Sequence, residues 1–197
     1  MMATNVKIRP AVQADAPSIA RLFHISSDGV ADYVWDGHKD EYPGLDGLEI
    51  GAKRYARKDK AYSYQNCLMA DVGGEVAAMV HSFPMKVSDV PLRDDFDPVM
   101  RPYAELKENG SLYISGIAVF DGFRNQGIGS KVLSVLENRA QILGCSSLSL
   151  IVFEQNEGAV RLYERLGFKE TARRAVVPHP LIHYTGDALL MVRSLND

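Results

Sequence analysis

A change of hydrophobic period near residue 121 constrains the fold of this 197-residue chain more than any other feature. Before it, residues 112–120 are rich in β-branched and aromatic side chains, which is typical of a buried strand. After it, apolar side chains recur at the spacing of one helix face, at Ile128, Val132, Val135, Leu136, Ala140 and Leu143. Gly144 then supplies a stop signal. The sequence therefore predicts a strand, a turn and an amphipathic helix in succession, as in α/β proteins.

The rest of the chain predicts further strands and helices of ordinary length. Apolar patterns predict strands at residues 6–9, 68–71, 75–80, 148–153, 168–177 and 188–195. Helical spacing predicts helices at residues 15–23, 49–58, 99–107 and 158–165. Asp15 is expected as an N-cap, Gly73 and Gly74 as a hairpin turn, and residues 26–48 as a loop or broken helix. Because no repeat or linker interrupts this pattern, we expect one domain over residues 1–197.

Composition excludes several classes of protein. The formal net charge of −3 gives no electrostatic reason to bind nucleic acid or an anionic membrane. Neither a signal-peptide pattern nor an apolar run of about 18 residues is present, so we expect a cytoplasmic protein without a membrane span. Cys67 and Cys145 lack metal-ligand spacing and are interpreted as small buried hydrophobes. We expect no metal.

The segment from Arg124 to Ser130, Arg-Asn-Gln-Gly-Ile-Gly-Ser, lies between the predicted strand and helix. Its glycines let a ligand approach the backbone, and the first N–H groups of the helix carry partial positive charge. Such a turn suits a pyrophosphate, to which Arg124 can add charge-assisted hydrogen bonds. Two known types of phosphate-binding loop fit poorly. A Walker loop needs Gly-Lys-Ser/Thr in that order, whereas residues 129–131 read Gly-Ser-Lys. A dinucleotide fingerprint needs a third glycine, and Val132 occupies that position. A glycine-rich turn without a ligand remains the alternative.

A second motif follows in the next strand-to-helix unit, with its members at fixed spacing: Asn156, Ala159, Tyr163, Gly167 and Phe168. Together the two motifs resemble those of the GCN5-related N-acetyltransferase (GNAT) family. The family's acyl-CoA signature, Arg/Gln-x-x-Gly-x-Gly/Ala, is matched by Arg124, Gly127 and Gly129. Its Asn-x-x-Ala-x-x-x-Tyr-x-x-x-Gly-Phe pattern is matched by the five residues of the second motif. The clear resemblance covers residues 112–168, with weaker support elsewhere.

The resemblance implies both a fold and an activity. The fold is α/β (α+β), with a central mixed, mostly antiparallel twisted sheet of about seven strands, splayed at its middle and flanked by about four helices. The activity is transfer of an acetyl group from acetyl-CoA to a primary amine by direct attack in a ternary complex. A protein or peptide amine acetyltransferase and a non-catalytic acyl-CoA-binding regulatory domain are the alternatives. Dimers are common in the family, so the resemblance also allows a homodimer.

The resemblance assigns binding residues in this sequence. The pyrophosphate is expected at the turn and its arginine, over Arg124, Asn125, Gln126, Gly127, Ile128, Gly129 and Ser130. Pantetheine is expected to pair with the strand at Ile117, Ala118 and Val119, and the Val119 N–H to polarise the thioester carbonyl. Asn156 is expected to contact the pantetheine arm or to cap the next helix. Tyr163 is expected to protonate the departing thiolate, with a core aromatic as its plain alternative.

The general base is the point at which this sequence departs from the family pattern. Residues 112–120 carry no Asp or Glu, and Tyr113 and Ser115 stand where family members often place an acid. Glu154 on the next strand and His81 near the end of the hairpin are the remaining candidates. A solvated glutamate, a satisfied buried histidine and a water chain are the alternatives.

Acceptor pockets in this family are built from the first helices and from loops near the splayed strands. That expectation points to residues 28–46, 84–110 and 178–184. The middle segment has an acidic bias from Asp89, Asp94, Asp95, Asp97 and Glu105, which suits a cationic amine or a solvated loop. In the third segment, His179, His183 and Tyr184 are interpreted as a wall of the acceptor pocket or a dimer contact, since no third metal ligand has fixed spacing.

Overall fold

The computed structural model describes residues 5–88 and 90–195. The strands in that part of the chain are β1 (Val6–Pro10), β2 (Cys67–Val72), β3 (Glu75–Pro84), β4 (Ser111–Val119), β5 (Ser147–Phe153), β6 (Lys169–Ala175) and β7 (Asp187–Ser194). The α-helices of the same residues are α1 (Ala16–Ser26), α2 (Val30–Asp36), α3 (Gly47–Tyr55), α4 (Arg101–Glu105), α5 (Ile128–Ile142) and α6 (Glu157–Arg165). About four helices were expected, and the described residues form six. The two shortest, α2 and α4, have only 7 and 5 residues.

The seven strands form one mixed sheet in the order β1-β2-β3-β4-β5-β7-β6. The β1–β2, β2–β3, β5–β7 and β6–β7 pairs are antiparallel, whereas β4 and β5 run parallel. Helix α5 makes the crossover that a parallel pair requires. The parallel ladder joins residues 111–114 to residues 147–150. The predicted seven-stranded, mostly antiparallel sheet is confirmed.

The chain divides into two compact parts, so that a single domain over residues 1–197 stays a prediction. The first part holds residues 5–82 and 115–135. Its core side chains come from α1, α3 and the β2–β3 hairpin and are fully buried: Ile19, Leu22, Ile50, Met69 and Met79. Gly116 lets α1 approach β4, because a Cβ at this position would lie 2.9 Å from the Phe23 ring.

The second compact part holds residues 83–88, 90–114 and 136–195. Its core lies on β4, β5 and β7, at Leu112, Leu148, Leu150, Leu190 and Met191. An ion pair of 2.8 Å between Arg174 Nε and a carboxylate oxygen of Glu105 joins β6 to α4. This pair holds part of the 84–110 segment against an edge strand of the sheet.

Local sequence signals located most element ends correctly. Gly73 and Gly74 adopt φ angles of 60° and 89°, as a tight hairpin turn requires, and Gly144 ends α5 with a φ of 70°. Asp15 occupies the N-cap position of α1, but its carboxylate accepts the Val12 N–H at 2.8 Å and a 2.7 Å bond from Arg9. That carboxylate therefore anchors the turn before α1 instead of the first turn of the helix.

The buried-hydrophobe interpretation of the two cysteines is confirmed, since Cys67 and Cys145 are both free and buried. No helix formed by the described residues combines the length and the apolar character needed to cross a membrane.

Candidate active site

A tight turn connects β4 to α5 in the first compact part. After the 3₁₀ turn Asp121–Phe123, Asn125 and Gly127 both adopt left-handed backbone conformations, with φ angles of 60° and 73°. The Lys131 N–H donates to the Gly127 carbonyl at 3.1 Å and so begins the α5 hydrogen-bond series. Because the N–H groups before such a first bond point out of the helix end, the turn presents donors at the positive end of the α5 dipole.

The arginine of this turn is held by two bonds. Arg124 Nε donates to the Val119 carbonyl at 3.3 Å, and its Nη2 lies 3.0 Å from a carboxylate oxygen of Asp121. The guanidinium therefore links the end of β4 to the turn while half of its side-chain surface stays exposed. An arginine held in this way is available to an anion from the solvent side.

The two signature glycines of the turn serve different purposes. A Cβ at Gly127 would meet nothing within 4 Å, so that this position is open space beside a left-handed backbone. A Cβ at Gly129 would lie 3.9 Å from Val119 Cγ2, which places the helix start against the strand end. Ile117 and Val119 are half-buried on β4, whereas Ala118 between them is buried in the core. An open approach at Gly127 fits a ligand as bulky as a pyrophosphate.

Asn156 is the N-cap residue of α6, and Tyr163 lies on this helix in the second compact part. Asn156 Oδ1 accepts the Ala159 N–H at 3.3 Å, so the helix-capping alternative for this residue is realised. The Tyr163 ring is half-buried and lies 5.8 Å from the Phe168 ring. Tyr163 is therefore not a fully enclosed core aromatic, and a phenol on a half-buried ring can reach a ligand.

Glu154 holds backbone and side chains of its own compact part. One carboxylate oxygen accepts the Asp187 N–H at 3.0 Å, and the other lies 3.5 Å from Arg173 Nη1. The carboxylate also fills the space in which a Cβ at Gly186 would stand. These contacts bind the end of β5 to the start of β7, so Glu154 has a structural role.

His81 lies at the centre of an aromatic cluster in the first compact part. Its side chain is fully buried, and its ring stacks on Tyr62 at 5.2 Å between centroids. Phe23 and Tyr55 contact it edge-on at 6.0 and 5.6 Å. Burial raises the pKa of the Tyr55 phenol well above its ordinary value and also raises the pKa of Tyr62, so both phenols stay neutral.

Both nitrogens of the His81 ring have polar partners. Nε2 lies 3.0 Å from the Ala61 carbonyl oxygen, and Nδ1 makes a short hydrogen bond with the Ser115 hydroxyl. A carbonyl can only accept, so Nε2 carries a proton and donates it to Ala61. The histidine predicted as a candidate base is thus joined to the half-buried serine of β4.

Two of the three expected acceptor segments contribute to one aromatic cluster in the second compact part. Tyr103 of the 84–110 segment lies 6.1 Å from Phe153, and Tyr184 of the 178–184 segment lies 5.3 Å from the same ring. Burial raises the pKa of the Tyr103 phenol to about 12. The 28–46 segment belongs to the first part, where it forms α2 and buries Trp35.

Some acidic side chains of the 84–110 segment have local partners. Glu105 pairs with Arg174 and Asp95 with Arg93, while Asp97 accepts the Val99 N–H at 2.9 Å. Asp89 lies outside the described residues. Among those that are described, no group of three or more His, Cys, Asp or Glu side chains is arranged to hold a metal ion.

A model of the acetyltransferase (GNAT) family matches residues 31–168, which is more than half of the chain. The chain belongs to the GNAT acetyltransferase family. The match contains both sequence motifs, His81 and Ser115. The resemblance expected from the two motifs is therefore confirmed.

Several named relatives of this GNAT chain match only about a third of it. The spermine/spermidine N(1)-acetyltransferase of Bacillus subtilis (strain 168) is 32% identical over 68 residues, which are 34% of this chain and 45% of that protein. The chain thus spans less than half the length of this curated relative.

Solved structures support the GNAT fold over nearly the whole chain. A crystal structure of an acetyltransferase has a TM-score of 0.66 at 23% identity and covers 96% of this chain and 100% of its own. The structure of YncA from Salmonella typhimurium with its cofactor acetyl-CoA has a TM-score of 0.60 at 18% identity and covers 98% of this chain and 96% of its own. At these identities the likeness concerns the fold.

Sequence reasoning did not find the partners of the GNAT candidate residues. The bond between His81 and Ser115 joins residues 34 positions apart, and the Ala61 carbonyl comes from a third segment. The ring cluster of Phe23, Tyr55 and Tyr62 likewise depends on the packing of separate elements. The one signal available in the sequence is the hydroxyl of Ser115 on a strand without carboxylates.

Proposed function

We propose that this GNAT protein is an N-acetyltransferase that moves an acetyl group from acetyl-CoA to a primary amine by direct attack in a ternary complex. The observation that carries the proposal is the left-handed turn at Asn125 and Gly127 that opens directly into α5. The choice of co-substrate is supported by YncA, which shares the fold and was solved with acetyl-CoA.

In this proposal the turn binds the pyrophosphate of acetyl-CoA. The N–H groups of residues 126–130 donate to its oxygens, because they stand at the positive end of the α5 dipole. Arg124 adds a charge-assisted bond without first having to be ordered, since Asp121 already holds its guanidinium. The Val119 N–H polarises the thioester carbonyl as negative charge develops on its oxygen.

Tyr163 is the proposed proton donor to the departing thiolate. A phenol has an ordinary pKa of about 10 and can give its proton to a thiolate within hydrogen-bond reach. Asn156 contacts the pantetheine arm with its amide N–H₂, while its Oδ1 remains bonded to the Ala159 N–H. Both assignments follow the second GNAT motif.

The proposed acceptor region is the aromatic cluster of Tyr103, Phe153 and Tyr184. Aromatic faces bind organic cations, whereas Glu105 and Glu154 are already engaged by arginines. Polyamines are therefore the first acceptor class to test, and the name of the Bacillus subtilis relative supports this choice. A lysine side chain or peptide N-terminus is the alternative amine.

The test is release of free thiol from acetyl-CoA with a panel of polyamines, aminoglycosides, amino acids and short peptides. We expect release with one class of amine. We expect the Tyr163→Phe variant to lose about 10²-fold or more in kcat while its Kd for acetyl-CoA is unchanged. Tyr64→Phe is the matched control, because Tyr64 is also partly buried but packs against the core of the first part. Equal rates for Tyr163→Phe and wild type with every acceptor would reject the acid role.

A non-catalytic acyl-CoA-binding domain is the second candidate function. The observation that favours it is that β4 carries no carboxylate and that Glu154 is bonded to backbone and arginine. Tight binding of acetyl-CoA without thiol release from any amine of the panel is its expected signature. Absence of binding would reject both functions.

A further inference from the structure

We propose that Ser115 and His81 form a proton relay that removes the proton from the acceptor amine as it attacks the thioester. This inference rests on the proposed acetyl transfer and names the residues that do the work of the carboxylate missing from β4. Ser115 is the member that meets the amine, and His81 is the proton acceptor behind it.

The hydrogen-bond pattern defines the resting state of the relay. The His81 Nε2–H donates to the Ala61 carbonyl, so in the neutral ring Nδ1 is the nitrogen that carries no proton. The Ser115 hydroxyl donates to the lone pair of that nitrogen. The pattern is a hydroxyl, a neutral imidazole and a fixed acceptor in series, in which the third group orients the ring.

Burial decides which member can meet a substrate. The His81 side chain is fully buried, so no amine can contact its ring directly. Ser115 is half-buried, and its hydroxyl bonds the imidazole from β4. The serine hydroxyl therefore offers a proton a path from the amine to His81.

The surroundings of His81 favour an uncharged resting ring and tolerate brief protonation. The groups around it include the Phe23 ring from α1, the Tyr55 ring from α3, Tyr62 with the Ala61 carbonyl from the segment before β2, and Cys67, its register partner on β2. The titratable members of this set are the two phenols and the Cys67 thiol, which in their ordinary state are uncharged at neutral pH. The carbonyl and the stacked Tyr62 face can stabilise an imidazolium while the reaction proceeds.

The relay gives a balanced reaction. The amine nitrogen forms a bond to the thioester carbon, its proton passes to Ser115 Oγ, and the serine proton passes to His81 Nδ1. The C–S bond then breaks, and its electron pair stays on sulfur. The resulting thiolate receives a proton from Tyr163. His81 returns its proton to solvent through Ser115 and Tyr163 regains one, so that the products are the acetamide and CoA thiol.

The test is the pH profile of kcat/KM for Ser115→Ala with the best amine of the panel. We expect a loss of about 100-fold near pH 7 that shrinks toward alkaline pH, because hydroxide then removes the amine proton. Ser115→Thr keeps the hydroxyl and is expected to restore most of the rate. The matched control is Ser111→Ala on the same strand, whose hydroxyl bonds Glu108 and Ser149. Its effect is expected to be uniform across pH.

Nitrogen-15 NMR of the histidine ring gives a readout independent of turnover. We expect His81 of the wild type as the neutral Nε2–H tautomer, with a change in the Nδ1 shift in Ser115→Ala. A protonated ring at neutral pH, the other tautomer, or a pH-independent loss of rate in Ser115→Ala overturns the relay. If the wild type shows no acetyl transfer, the proposed function fails, and the NMR result still decides whether the serine–imidazole pair exists.

Discussion

Gly127 and Gly144 stand at the two ends of α5 with the same backbone requirement. Their φ angles are 73° and 70°, and a Cβ at either position would meet nothing within 4 Å. We expect Gly127→Glu and Gly144→Glu to cost a similar 1–2 kcal/mol of stability, about the strain of a left-handed non-glycine residue. Only Gly127→Glu is expected to abolish acetyl-CoA binding, because its carboxylate meets the pyrophosphate.

Isothermal titration of both folded variants with acetyl-CoA checks the predicted difference in affinity. Urea unfolding checks that the two substitutions lower the stability by the same amount. Equal affinity in the two variants would show that the ligand does not use the turn. A loss in both would point to a general effect on α5.

The free energy of unfolding depends on pH through the ionisation of Asp15. Hydrogen bonds from Arg9 hold the pKa of Asp15 below its ordinary value of 3.8, despite the opposing effect of burial. A carboxyl with a depressed folded pKa stabilises the protein above the unfolded pKa and loses that effect as pH falls through the folded value. We expect Asp15→Asn to lower the unfolding free energy by about 2 kcal/mol at pH 7. The difference from wild type should begin to shrink near pH 3.8 and be lost as pH falls through the lower folded pKa; a constant difference in urea titrations down to pH 3 would contradict this account.

Helix α3 owes its close packing on α2 to one glycine. A Cβ at Gly51 would lie 2.6 Å from the Trp35 indole, too close for the rigid ring to accommodate. We expect Gly51→Ala to cost about 1–2 kcal/mol, since overpacking exceeds the gain in helix propensity. Gly37→Ala is the matched control at the end of α2, where the nearest atom is 3.5 Å away and φ is −64°. Urea unfolding followed by circular dichroism checks both; an unchanged midpoint for Gly51→Ala would disprove the clash.

Elements with local signals were predictable from the sequence, and contacts between elements were not. The hairpin at Gly73, the strand β4 and the helix α5 each carry their own pattern of turn residues or apolar period. Residues 26–48 could be predicted only as a loop or broken helix, because the seven residues of α2 follow a left-handed Gly29 and depend on burial of Trp35. The candidate site divides in the same way: the phosphate turn is local, whereas the His81–Ser115 bond exists only after β3 and β4 come together.

Binding of acetyl-CoA is expected to stabilise the whole chain through mass action. At a ligand concentration 100 times Kd the gain is about 2.7 kcal/mol. For a chain of this length that corresponds to a rise in Tm of about 5–10 °C. Thermal unfolding monitored by calorimetry with and without acetyl-CoA checks this value. A Tm unaffected by saturating acetyl-CoA would reject the proposed co-substrate.

The outer strands bear on the open question of a homodimer. The sheet ends at β1 and β6, and β6 carries four charged side chains: Lys169, Glu170, Arg173 and Arg174. Charged edge strands disfavour pairing with a second copy. A homodimer, if it forms, is therefore expected to use another surface.

The burial of Trp35 gives the protein a built-in optical probe of one region. The chain has a single tryptophan, and that indole is 3% exposed in the core of the first compact part. Its emission is therefore blue-shifted in the native state and reports on the melting of residues 5–82 and 115–135. When the emission and far-ultraviolet ellipticity change at the same urea concentration, the two parts melt as one cooperative unit; separate midpoints identify two.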